Sequence, residues 1–201
     1  QINGSLTMQD WMDVYRTLVR WELELQDVAA EMKEMLAMQK REANNEFCKF
    51  VRKNYMKWME TLVRHEQDEN RPLMSPDIFK TQVFPALDKG EKVFFIVIDN
   101  FRWDQWKMLQ PEMAELFNVE ENMYCSILPT ATQYARNAIF SGLMPIEIEA
   151  MFPDLWVDED SEQGKNLNES PMVQTQLERF RRRNTFSYHK DHIHQLLLPY
   201  L

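Results

Sequence analysis

The residues of this chain that could do chemistry fall in three places. The first is Asp99, which directly follows the uncharged run Val93-Phe94-Phe95-Ile96-Val97-Ile98. A carboxylate there stands where open α/β sheets bind ligands, beyond the carboxyl ends of their strands. It could hold a cation, or it could cap the helix expected from about Arg102, since Asp is a common N-cap. The second place is Leu128-Pro129-Thr130-Ala131-Thr132-Gln133-Tyr134, continuing to Ser141-Gly142. An apolar stretch runs into a proline, a Thr-x-Thr step and then a helix. Thr132 therefore sits at or beside a helix N-terminus, where unsatisfied N–H groups favour phosphate. Its hydroxyl could be a nucleophile, or Thr130 or Thr132 could serve as an N-cap, the commoner role for threonine. The third place is His189-Lys190-Asp191-His192-Ile193-His194, in which His189, Asp191, His192 and His194 have metal-ligating chemistry.

Other chemistries fail on residue type or spacing. The chain has four glycines, and no two lie close enough for a dinucleotide fingerprint or a P-loop. His65-Glu66 begins a zincin motif, but Glu69 stands where the second histidine belongs. Ser141 lies in Phe140-Ser141-Gly142 and lacks the flanking glycines of a hydrolase elbow. Cys48 and Cys125 are too far apart in sequence for a zinc ribbon and too few for a disulfide framework. A reducing, cytoplasmic compartment is expected. The formal net charge of −9 argues against nonspecific DNA binding, which draws on counterion release by a basic surplus. Arg179-Phe180-Arg181-Arg182-Arg183 could steer an anionic substrate. Such a run is more often a solvated helix face.

These residues need elements to position them. From Thr7 to about Arg41, Met8, Trp11, Met12, Tyr15, Leu18, Val19, Leu25, Ala29, Met32 and Leu36 recur mostly at three- and four-residue steps, which predicts a long amphipathic helix. A second set, from Phe47 to Val63, follows a break expected at Asn44-Asn45, so the two helices should form a hairpin. With 14 methionines in the chain, this Met-rich surface could be core filling or an adaptable partner-binding face. It leaves a homodimer open. After Pro72 the pattern changes. Ser75-Pro76-Asp77 opens a segment ending near Gly90, and Lys92 to Ile98 predicts a strand buried on both faces. Helices are expected over about 102–117, 134–140 and 176–183, with further strands over 123–128 and 185–188. Alternating strands and helices indicate a doubly wound α/β fold. The longest purely apolar run has six residues, far short of the ~20 needed to span a membrane, so no membrane insertion is expected. Gln1 opens the chain without a leader, which suggests an interior piece of a longer gene product.

Val97-Ile98-Asp99-Asn100-Phe101-Arg102, Leu128-Pro129-Thr130-Ala131-Thr132 and Ser141-Gly142-Leu143-Met144-Pro145 together resemble the alkaline phosphatase superfamily. With Trp103 and Trp106 nearby, the resemblance is to a PglZ-type domain. The stretch from Gly4 to Leu25 is similar to the linker of PorX-like response regulators, in which a receiver domain precedes the helices. The resemblance implies an α/β fold with an alkaline-phosphatase-like, mostly parallel sheet and flanking helices, complete or cut short at Leu201. A helical linker or bundle over 1–71 would precede a PglZ domain over 72–201.

It also implies two zinc ions, with Asp99 as a metal ligand and Thr132 as both metal ligand and nucleophile. Asn100 replaces the family's usual glycine and could donate to a substrate phosphate oxygen. The cluster around His189, Asp191, His192 and His194 departs from the family's Asp-His pair, because no buried strand precedes it and no glycine follows. The implied activity is a zinc-dependent phosphodiesterase or phosphatase acting on a phosphoester or nucleotide. Implied partners are a sensor kinase acting through the absent receiver domain and secretion-motor or transcription-factor proteins linked to type IX secretion. The alternative is a noncatalytic output module that binds protein partners.

Overall fold

A computed structural model describes residues 6–25, 30–66, 68–157 and 166–190. Contacts divide the chain into two units, Gln1–Ser75 with Phe94–Ile127 and Pro76–Val93 with Leu128–Leu201.

In the first unit, helix α1 (Met8–Glu24) starts at a capping box. The Thr7 hydroxyl accepts from the Asp10 amide at 3.2 Å, and the Asp10 carboxylate accepts from the Thr7 amide at 2.7 Å. Two of the helix's orphan donors are satisfied in this way. Helix α2 (Ala30–Val63) runs 34 residues straight through Asn44-Asn45. The expected break is therefore not there, and α1 has ended by Leu25. Asparagine costs well under about 1 kcal/mol in a helix interior. Packing outweighs that here, because the same turns of α2 hold Ala43 and Phe47. Trp11 of α1 is buried against Phe47 and Phe50 of α2, with ring centroids 5.5 and 6.1 Å away. Lys40 of α2 pairs with Glu22 of α1 at 2.6 Å. Helix α4 (Trp103–Leu116) packs on α1 and passes through Pro111 without breaking.

In the second unit, a single turn at Ser75–Asp77 spans the unit boundary and leads into a π-helical stretch, Phe79–Val83, and helix α3 (Phe84–Asp88). This segment ends at Gly90, whose φ is +78°. Helices α5 (Thr132–Ser141), α6 (Pro145–Met151) and α7 (Glu169–Arg179) complete the unit. Phe79, Phe84, Ile139, Phe140, Ile148, Met172 and Leu177 form its core. Edge-on ring contacts join Phe79 to Phe84 and to Phe140, each at 6.3 Å.

The expected mostly parallel α/β sheet is not formed. Among the described residues the β pairing is a single parallel bridge, Met74 with Cys125. The Cys125 amide donates to the Leu73 carbonyl at 2.8 Å there, and the buried Ser75 hydroxyl accepts from the Ile127 amide at 3.2 Å. The stretches 92–98, 123–128 and 185–188, all expected as strands, are not strands. Val93–Ile98 was expected buried on both faces, yet Phe94 is 90% and Ile96 78% exposed. The physical reason is that a helix closes its hydrogen bonds within one segment, whereas a strand closes them on a neighbour. An apolar β-branched run supplies the strand but not its partner. Apart from that bridge, the regular secondary structure of the described residues is helical. No described helix is long and apolar enough to cross a membrane.

Candidate functional site

Thr132 is the first residue of α5, and the N-cap is Ala131, which offers no side-chain capping bond. Neither Thr130 nor Thr132 fills the cap position. The cap residue thus lends the helix start no side-chain bond of its own, and the helix dipole there favours a negative group. Thr132 is half-buried at this end.

The rest of α5 is held firmly by α7. One turn beyond Thr132, the Arg136 guanidinium pairs at 2.6 Å with the fully buried Glu169 carboxylate. The Tyr188 hydroxyl also donates to Glu169, and burial together with that carboxylate pushes the Tyr188 phenol far up. At the far end, the Gln176 amide donates to the Ile139 carbonyl at 3.2 Å, and Arg179 donates to the Ser141 carbonyl. The helix stops at Gly142, whose φ of +65° is left-handed. Sequence reasoning missed Glu169 and Gln176. Both are polar residues of α7, and only the pairing of Glu169 with Arg136 would have pointed to burial.

Asp99 lies in the other unit. Its carboxylate is exposed, and Oδ1 accepts the Asn100 amide at 3.0 Å. Asn100 sits at φ +59°, the left-handed conformation that asparagine tolerates better than most residues. Asp99 does not cap α4. That position belongs to Arg102, whose amide donates to the Gln105 side chain at 3.0 Å. The Arg102 guanidinium engages Asp104 at 2.9 and 2.7 Å and holds that carboxyl below its ordinary value.

His189 is exposed in the second unit, whereas Asp191, His192 and His194 lie outside the described residues. In the basic run, Arg182 pairs with Asp88 at 2.5 and 2.9 Å and lies 4.3 Å from the Phe84 ring centroid. Arg179 is bound to Ser141 as above. Two of the four arginines are therefore committed to packing, and Arg181 and Arg183 stay exposed.

Residues 78–197 match the BREX system PglZ alkaline phosphatase-like domain. The chain belongs to the PglZ alkaline phosphatase-like family. Every candidate site residue falls within the matched PglZ stretch, and residues 1–59 match the PorX response regulator linker domain. No curated protein matches the chain. The superfamily to which PglZ domains are likened is usually metal-dependent. A zinc site takes about four ligands. Among the described residues no three His, Cys, Asp or Glu side chains converge as a metal-binding group. One exposed carboxylate and one hydroxyl do not complete a two-zinc centre, so the described residues alone do not fit that group.

Proposed function

We propose that this chain is the phosphoesterase-like output part of a response regulator and that Thr132 is its nucleophile. The reading is supported by the PglZ match over 78–197, which contains a threonine at the first position of a helix without a side-chain cap. In this reading the Thr132 oxygen attacks the phosphorus of a phosphodiester or nucleotide. The Thr132 hydroxyl gives its proton to solvent as its oxygen bonds phosphorus, the leaving oxygen takes the bonding pair of the ester linkage and a proton from solvent, and water then hydrolyses the resulting phosphothreonine, which is still esterified when the substrate is a diester. Phosphate oxygens lie at the α5 N-terminus, where the helix dipole stabilises negative charge. Asp99 and the 189–194 cluster belong to the same proposal as metal ligands, with Asn100 as a donor to phosphate. So do zinc itself, a cytoplasmic setting, control by a sensor kinase and coupling to type IX secretion.

The deciding experiment is hydrolysis of bis(p-nitrophenyl) phosphate with added zinc, by wild type and Thr132→Ala. The expected result is turnover that falls on the order of 1,000-fold or more in the variant, the scale of losing an activated nucleophile. Turnover that survives the substitution removes Thr132 from the reaction. Absence of turnover in the wild type leaves the noncatalytic, partner-binding output module as the better account.

A further inference from the structure

Helix α2 carries two faces. Leu36, Ala43, Trp58 and Leu62 mark its buried line. Away from that line a second stripe runs through Gln39, Glu42, Glu46, Lys49, Lys53 and Met56 at alternating steps of three and four, the spacing that keeps side chains on one helix face. Glu46 is half-buried, and the other five are exposed. The charges on this stripe are sorted by sign. Glu42 and Glu46 lead, and Lys49 and Lys53 follow. Glu46 and Lys49 pair within the helix at 2.6 Å, whereas Glu42 and Lys53 have no partner among the described residues.

A stripe with this polarity is complementary to its own reverse. When two copies lie antiparallel about a two-fold axis between positions 47 and 48, Glu42 of each faces Lys53 of the other, and Glu46 faces Lys49. The symmetry makes every such contact twice. Sliding one copy by a turn in one direction sets Glu46 against Glu46, and sliding it the other way sets Lys49 against Lys49. A parallel arrangement sets all four charges against themselves. Like charges at neighbouring positions repel about as strongly as opposite ones attract. One orientation and one register are therefore selected, as charges beside a helix seam select partner and direction in coiled coils. The same register carries Met56, 68% exposed, to the turn of the second copy that holds Met38, 57% exposed. Flexible thioethers suit such a contact, because they adapt to the surface they meet.

We propose that two copies of this chain associate through antiparallel α2 helices in this register. The inference does not rest on the hydrolytic reading. The interface is narrow and largely polar, so the dimer is a weak, reversible one that salt loosens.

The test is sedimentation equilibrium of the full chain at low ionic strength and up to about 300 μM, a ceiling suited to a weak interface. Wild type is compared with Glu42→Lys, Lys53→Glu, the double variant, and an equimolar mixture of the two single variants. Both positions are exposed, and circular dichroism establishes that each variant is folded. The expected result is a reversible wild-type dimer that weakens about tenfold or more in each single variant, because two symmetry-related attractions become repulsions. The double variant, with its charges exchanged, regains wild-type affinity. The mixture forms a heterodimer, since lysines at 42 and 53 of one chain face glutamates at 53 and 42 of the other. Overall charge makes the opposite prediction for Glu42→Lys, which reduces the net negative charge and would by that alone favour association. A wild type that stays monomeric throughout overturns the proposal. So do single variants that dimerise as wild type does, which places the contact on another face, or a folded double variant that remains as weak as the singles.

Discussion

Changing Gly142 to alanine should destabilise the second unit, and the amount can be worked out from two neighbours. The backbone there has φ +65°, a left-handed conformation that costs an L-residue with a Cβ about 1–2 kcal/mol. The new methyl group would also meet the Gln176 side chain, 2.9 Å from Cδ and 3.3 Å from Cγ. Gln176 has no route to solvent, being fully buried, and it supplies the hydrogen bond to the Ile139 carbonyl. Displacing it adds about 1–2 kcal/mol for the orphaned carbonyl. The total expected for Gly142→Ala is about 2–4 kcal/mol in urea unfolding followed by circular dichroism. Gln176→Ala alone removes the same bond. In the double variant the methyl group then enters space already vacated, and only the backbone strain is added. The two effects should fall short of additivity by about 1–2 kcal/mol in a double-mutant cycle. Additivity to within about 0.5 kcal/mol would refute the argument that Gly142 is required by its contact with Gln176.

Three further outcomes follow from described contacts. Glu169→Ala leaves Arg136, whose side chain is 19% exposed, without its buried carboxylate, and should cost about 3 kcal/mol by urea unfolding, the lower end for breaking a buried pair. Tyr188 is protonated more tightly folded than unfolded, through burial and then its bond to Glu169. Its contribution should be complete below the unfolded value near pH 10 and be lost as pH rises toward the folded value, so wild type should lose stability above pH 10 faster than Tyr188→Phe. Trp11→Ala removes the ring buried against Phe47 and Phe50 and should lower the stability of the first unit by about 3–5 kcal/mol, read by hydrogen exchange of α1 and α2 amides.

The helical elements were legible because their signal is local. The apolar steps from Met8 to Val19 and from Phe47 to Val63 correctly mark two helices that pack together. The turn between them was misplaced because Asn44-Asn45 is a weak breaker inside a long helix, outweighed by the packing of Ala43 and Phe47. The left-handed backbone of Asn100 suits its residue type, since asparagine tolerates that conformation better than most residues. The sheet was not legible, because Val93–Ile98 carries strand propensity without naming a partner. For the candidate site, residue type located Thr132 at a helix start but misjudged which residue caps it. Glu169 gave no local sign of burial, since its reason for being inside is an arginine 33 residues earlier.

The bare side chains of Phe94 and Ile96 have a practical consequence for anyone handling this chain. Val93–Ile98 is a six-residue, proline-free, uncharged stretch of high β-propensity, the composition that self-assembles into stacked fibrillar strands. Lys92 and Asp99 flank it as gatekeepers, and in parallel in-register stacking each would face its own charge on the next copy. Asp99→Asn, the natural substitution for probing a metal ligand, removes one of those two guards. Loss of activity in that variant has to be read beside its sedimentation, since turbidity and failed chemistry would otherwise look the same.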